Sequence, residues 1–176
     1  RAVETSALEL IERDSFMNAY LAKLAPPTVS KRSLPQEVQK RVGELRRAGF
    51  RVRVKDHSFD LAPVVFVFAQ NEELAYTTCA SCSSFDPEHA VLHALMEVEA
   101  SVLARLQNGP SAFKRPTEVV MPLDHGALYE QKPYFHRADF MAHGGQSVRF
   151  QDIGRDAAHS WPDFLSRLAE KKWHLI

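Results

Sequence analysis

Ser6-Ala7-Leu8-Glu9-Leu10-Ile11-Glu12-Arg13-Asp14 places two carboxylates three residues apart in a helical, partly apolar run. On a helix that spacing stacks Glu9 and Glu12 on one face. Leu8, Leu10 and Ile11 fill the rest of the turn as core anchors. Adjacent like charges repel, so a helix that keeps them neutralises them with a cation, a base or a metal. Arg13 follows directly and offers a guanidinium suited to oxygen anions. Carboxylates for Mg²⁺ beside an arginine are what a nucleotide triphosphate site needs. The spacing alone favours a solvated acidic face with helical ion pairs, because surface glutamate is common.

Around this stretch the sequence predicts a first helix from the chain start to about Leu24, with a buried stripe of Val3, Ala7, Leu10, Ile11, Met17, Leu21 and Leu24. Pro26-Pro27 ends it. Ser33 is placed to cap a second helix starting at Pro35, with Val38, Val42 and Leu45 inward and Gly49 as its stop. Three strands follow. Phe50 to Lys55 alternates apolar with basic residues, Pro63 to Ala69 is a continuous apolar run, and Ala75 to Cys82 completes the set. The links between them are too short for crossover helices, so neighbours that pair run antiparallel. Asp86, Pro87 and Glu88 start another helix, which reaches about Leu106 and faces the core with Val91, Leu95, Val98, Val102 and Leu106. Asn108-Gly109-Pro110 breaks it, residues 110–160 read as irregular, and a last helix begins near Ser160 with Phe164, Leu165 and Leu168. The fold class is α/β (α+β), a mostly antiparallel sheet covered by helices.

The chain has 176 residues, one domain's worth, and 45% hydrophobic residues, enough for a sizeable core. Formal net charge is zero, so no global positive field draws in nucleic acid. No apolar run is long enough to span a membrane, and no secretory signal opens the chain. It starts at Arg1 in an apparent mid-helix and reads as a single-domain fragment, 1–176, truncated at both ends. Cys79 and Cys82, three apart on a strand, point to opposite faces and read as reduced thiols of a cytoplasmic protein.

Other constellations carry less. His89, His93 and Glu97 step by four along one helix face, a spacing that can grip a transition metal but is common by chance. Asp124-His125 fits either a carboxylate-oriented general base or a loop anchor. The basic residues between 40 and 55 read as a solvated face, with a peptide or RNA surface as the alternative. Glu97, among Ala94, Leu95, Met96 and Val98, needs a partner if it points inward.

The stretch Glu9-Leu10-Ile11-Glu12-Arg13-Asp14-Ser15-Phe16-Met17 resembles the signature helix of YcaO-domain proteins, closest to azole- and azoline-forming cyclodehydratases. Three segments match in order: Gly49 to Asp60 with Pro63-Val64-Val65; Asp86-Pro87-Glu88 through Ala90 to Ala94-Leu95-Met96-Glu97; and Leu123-Asp124-His125 with Tyr129. The likeness covers roughly residues 1–145. It implies ATP and Mg²⁺ as cofactors, with Glu9, Glu12 and Glu97 as metal-binding carboxylates. Ser6 and Arg13 join these three around the nucleotide. It implies that a Cys, Ser or Thr of a precursor peptide attacks the preceding carbonyl, that ATP phosphorylates the resulting oxygen, and that loss of phosphate leaves an azoline. Related members make thioamides or amidines, and a non-catalytic scaffold is a further alternative. The resemblance also implies a leader-binding partner protein or domain and a homodimer. One departure stands out: the family often has Gln or Glu three residues after Glu97, where this chain has Ala100. The nearby Glu99 falls on another helix face.

Overall fold

A computed structural model describes residues 1–175, apart from the side chains of Pro122 and Leu123. Leu123, quoted above, thus has its side chain outside the described residues. Helix α1 (Ala2–Leu21) leads into a short strand β1 (Thr28–Val29) and helix α2 (Gln36–Arg47). Strands β2 (Arg51–Asp56), β3 (Val64–Asn71) and β4 (Tyr76–Ser83) follow, then the long helix α3 (Pro87–Asn108). Helices α4 (Pro122–Tyr129) and α5 (Asp139–Ala142), strand β5 (Ser147–Val148) and helix α6 (Trp161–Glu170) complete the order.

The sheet runs β4-β3-β2-β1-β5. As the short links require, β2, β3 and β4 form an antiparallel meander, with Arg51 opposite Gln70 and Asn71 opposite Tyr76. Among the described strands, only β5 runs parallel to its neighbour, β1. One face of the sheet is covered by α2 and α3. There Val38, Val42 and Leu45 meet Val52, Val54, Val65 and Val67, and Val91, Leu95 and Val98 complete the layer. β3 is buried along its whole length, which explains its unbroken apolar run. Asp86 caps α3 by accepting from the N–H groups of Glu88 and His89, with Pro87 in the first turn as the sequence predicts. The opposite face carries Phe66 and Phe68, packed on Phe16 and Tyr20 of α1 and on Ala138 and Met141.

Several local expectations are corrected. α1 buries Ala7, Ser15 and Ala19, not the larger apolar residues. Val3, Leu10, Met17, Leu21 and Leu24 are exposed. The contact line follows steps of four through small residues, which let the helix axis approach the sheet closely. Leu106 is likewise exposed, beyond the last buried turn of α3 at Val102. Ser33 does not cap α2; its hydroxyl donates to the Ser30 carbonyl and accepts from the Phe150 N–H. Lys55 does not join a solvated basic face. It is fully buried, and its ammonium donates to the carbonyls of Pro26 (3.0 Å) and Gly144 (3.2 Å). Residues 110–160 are less irregular than expected, since they hold α4, α5 and β5.

Candidate functional site

The three carboxylates named from the sequence do not behave alike. Glu9 stays on the outer surface of α1 and is clamped by Arg13, whose guanidinium donates to it at 2.7 Å. Glu12 sits about 300° further round the helix and leans onto β4. It accepts from the Ser81 hydroxyl at 3.0 Å and from the Ser83 N–H at 3.3 Å. β4 is the sheet's edge strand. The Ser83 N–H points away from β3, and the Glu12 carboxylate satisfies it.

Glu97 lies in the opposite layer, on α3, near enough for its charge to act on Glu12 and Cys82. It is half-exposed, with His93 Nδ1 3.5 Å from one of its oxygens. Burial holds the Glu12 carboxyl above its ordinary range, the bonds from Ser81 and Ser83 counter part of that, and the Glu97 charge adds to it. Between them, Cys82 is buried and its thiol is pushed up to about 12, mainly by burial and further by Glu12 and Glu97. Glu12 and Glu97 thus lie within reach of each other's charge, while Glu9 stays on its arginine. Ser6 lies exposed near the start of α1.

Among the described residues, no three His, Cys, Asp or Glu side chains are gathered around one point. The donor set of Glu12 and Glu97 still suits a hard divalent cation: all oxygen, doubly negative, with one carboxylate whose raised pKa a cation would relieve. His89 and His93 stack with ring centroids 6.0 Å apart on the same helix face. Glu99, on another face as expected, is taken up by an ion pair with Arg41 of α2.

Asp124 and His125 do not form a dyad. Asp124 accepts from the N–H groups of Val120 and Met121 and pairs with Lys114 at 3.1 Å, so it anchors the start of α4. Those backbone bonds, with Met121 first, hold its carboxyl below the usual range. His125 turns the other way, with Nε2 3.3 Å from the Tyr20 hydroxyl, which in turn meets the Tyr129 hydroxyl. Burial first, and then the Tyr129 bond, raises the Tyr20 phenol. Sequence reading missed this cluster, and it missed Ser81 and Ser83. The serines were readable only once β4 had been placed beside α1, and the aromatic group joins residues more than a hundred positions apart.

Comparison with known proteins places this fold in a family. The family model of YcaO cyclodehydratases, ATP- and Mg²⁺-binding, matches residues 1–176, and the chain belongs to the YcaO family. The ligands of that family are ATP and Mg²⁺. Solved structures share the fold. YcaO from Methanopyrus kandleri, bound with AMPPCP and Mg²⁺, aligns with a TM-score of 0.65 at 22% identity over 93% of this chain and 42% of its own. The heterocyclase TruD gives 0.61 at 19% identity, over 94% of this chain and 22% of its own. The Escherichia coli microcin synthetase McbBCD complex with pro-MccB17 bound gives 0.63 at 14% identity, over 95% and 43%. The chain thus spans less than half the length of these structures. No curated protein matches the sequence. No helix among the described residues is long and apolar enough to cross a membrane.

Proposed function

We propose that the chain forms part of a cytoplasmic ATP- and Mg²⁺-dependent enzyme that activates backbone amides of a precursor peptide and gives azolines at Cys, Ser or Thr. The observation that carries this reading is that Glu12, on the β4 edge, lies within reach of the Glu97 charge in a chain of the YcaO family. An amide oxygen is a poor leaving group. Attack by the side-chain thiol or hydroxyl on the preceding carbonyl leaves that oxygen on a tetrahedral carbon. Transfer of the γ-phosphoryl group to it makes the departing group phosphate, and loss of phosphate and a proton closes the C=N bond of the ring.

Mg²⁺ held by Glu12, Glu97 and Glu9 would offset the negative charge of the triphosphate. The chain's own residues position the carboxylates. Ser81 and the Ser83 N–H fix the Glu12 oxygens, and α3 presents Glu97. Arg13 either stays on Glu9 or turns to a phosphate oxygen, and Ser6 lies on the same helix near the chain start. A leader-binding partner and a homodimer belong to the same proposal. The McbBCD complex, which carries its bound pro-MccB17, and a heterocyclase solved with substrate and cofactor support a peptide substrate.

The test is incubation of the full-length protein with ATP, Mg²⁺, its partner and a precursor peptide. Phosphate release coupled to loss of one water per ring in the peptide mass is the expected result. Exchange of an amide oxygen for sulfur would point instead to the thioamide branch, and phosphate release with an unchanged peptide would overturn the azoline reading.

A further inference from the structure

A cleft lies along the outer edge of β4, beside the Tyr76–Cys79 half of the strand. It has a volume of about 620 Å³ and is bounded by β4, α1 and α4. Four consecutive strand residues, Tyr76, Thr77, Thr78 and Cys79, line it. Side chains alternate between sheet faces, so four in a row can border one cleft only if the cleft runs against the strand's edge.

The register fixes which backbone groups face it. The Ser84 N–H bonds to the Pro63 carbonyl, so the pairs 82–65, 80–67 and 78–69 are the hydrogen-bonded ones of the ladder. The N–H and C=O groups of Thr77, Cys79 and Ser81 therefore point outward, as that of Ser83 does toward Glu12. No hydrogen bond from the N–H groups of Thr77, Cys79 or Ser81 forms among the described residues beyond that ladder. Unpaired edge groups of this kind are a template for an added strand.

The far wall of the cleft is aromatic with polar tips: Phe16 and Tyr20 from α1, His125 and Tyr129 from α4. No lysine or arginine lines it. Its one acid, Glu130, is already held by Arg105 and by the Ser111 N–H. The lining suits an uncharged segment with an apolar or aromatic side chain and gives no purchase to a phosphate.

We infer that the free edge of β4 binds an extended, uncharged segment of the acceptor peptide as an added strand, with one apolar side chain seated among Phe16, Tyr20 and Tyr129. The direction of delivery follows from Glu12. It occupies the Ser83 N–H and ends the ladder there, so a guest paired at Thr77–Ser81 delivers its next residue to the Glu12–Glu97 pair. This rests on the proposed function only for the reaction to which the peptide is delivered.

Cys79, exposed on β4 within the cleft, supplies the test. The full-length protein is equilibrated under reducing competition with capped uncharged tripeptides carrying one cysteine and one phenylalanine. Their N-methylated counterparts, a simple alkyl thiol and an adenosine thiol are run alongside, and capture at Cys79 is read by peptide mapping. The expected result is capture of the tripeptides over the alkyl thiol, falling about tenfold when the guest N–H groups are methylated. Equal capture of methylated and unmethylated peptides, or of peptide and alkyl thiol, would overturn the added strand. Preferential capture of the adenosine thiol would make the cleft a nucleoside seat and overturn it too. Mg²⁺-dependent ATP binding, measured on the same preparation, reports on the nucleotide reading separately, so either can fail alone.

Discussion

Glu12 leans on the edge of β4 from one face of the sheet and Glu97 stands on α3 across the other, and the Glu97 charge adds to the burial that raises the Glu12 carboxyl. Two carboxylates in this arrangement cost stability in the absence of a cation. An unfolded glutamate titrates near 4.5, and Glu12 in the folded chain titrates above that. The penalty is therefore absent below the unfolded value, grows as pH rises to the folded value, and stays constant above it. Glu12→Gln keeps an oxygen for the Ser83 N–H, turns its amide N–H to the Ser81 hydroxyl and loses the charge. It is expected to raise Tm by about 1–3 °C at pH 7.5 and by nothing at pH 4, since burial is only partial and the gain is about 1 kcal/mol or less. Thermal unfolding at the two pH values, without Mg²⁺, checks this.

Arg13→Ala separates a structural role from a ligand role. The Glu9–Arg13 pair is solvent-exposed, with 72% of the Arg13 and 57% of the Glu9 side-chain surface accessible. Such solvent-screened pairs contribute little to stability. The variant is expected to unfold within about 1 °C of the parent. In the full-length protein its Kd for Mg-ATP is expected to rise roughly tenfold, from loss of a charge-assisted contact to phosphate or of the Glu9 clamp. Differential scanning fluorimetry and titration of the same sample read both quantities.

His57 gives the chain an acid limit. It is buried, stacked on Phe66 at 4.4 Å between ring centroids, and neither ring nitrogen has a partner among the described residues. Burial, and then the charge of Lys55, pushes its pKa down to about 3. The unfolded imidazole takes up a proton near 6.5 and the folded one does not. Stability contributed by the neutral ring is therefore complete above 6.5 and lost as pH falls toward 3, by up to about 1.4 kcal/mol per pH unit. His57→Phe keeps the stack and removes the proton. Urea unfolding at pH 7, 6 and 5 is expected to show a falling midpoint for the parent and a much flatter one for the variant.

Gly145 and Gly43 predict opposite outcomes for the same substitution. Gly145 has φ +78°, and a Cβ there would stand 2.3 Å from the Pro26 carbonyl oxygen and 2.6 Å from that of Ala25. Backbone cannot yield as a side-chain tip can, so Gly145→Ala is expected to cost about 2–4 kcal/mol and to loosen the β1–β5 pairing. Gly43 lies inside α2 with nothing within 4 Å of an added Cβ, so Gly43→Ala is expected to stabilise by about 0.5–1 kcal/mol. Denaturant midpoints of the two variants test the pair.

The meander was legible because its signals are local: alternation in β2, an unbroken apolar run in β3, and links too short for helices. The start of α3 was legible for the same reason, since Asp86 and Pro87 act within one turn. The contact face of α1 was not, because depth of packing and not hydrophobicity chose Ala7, Ser15 and Ala19 over Leu10 and Met17. Half of the carboxylate geometry was readable. Spacing puts Glu9 and Glu12 on adjacent strips of the helix, but which strip meets the sheet depends on that same depth. Lys55 read as solvated because strand alternation gives the face of a side chain, not what covers that face. The Tyr20–His125–Tyr129 cluster depends on the path of residues 110–130, where local signals are weakest.

Calorimetric titration of ATP with Mg²⁺ into the full-length protein and its Glu12→Gln and Glu97→Gln variants decides whether these carboxylates hold the nucleotide. The account predicts Mg²⁺-dependent binding that each substitution abolishes or weakens by at least about tenfold. Binding of equal strength in all three proteins would contradict an edge site built by Glu12 and Glu97, and no binding in the parent would remove the nucleotide reading itself.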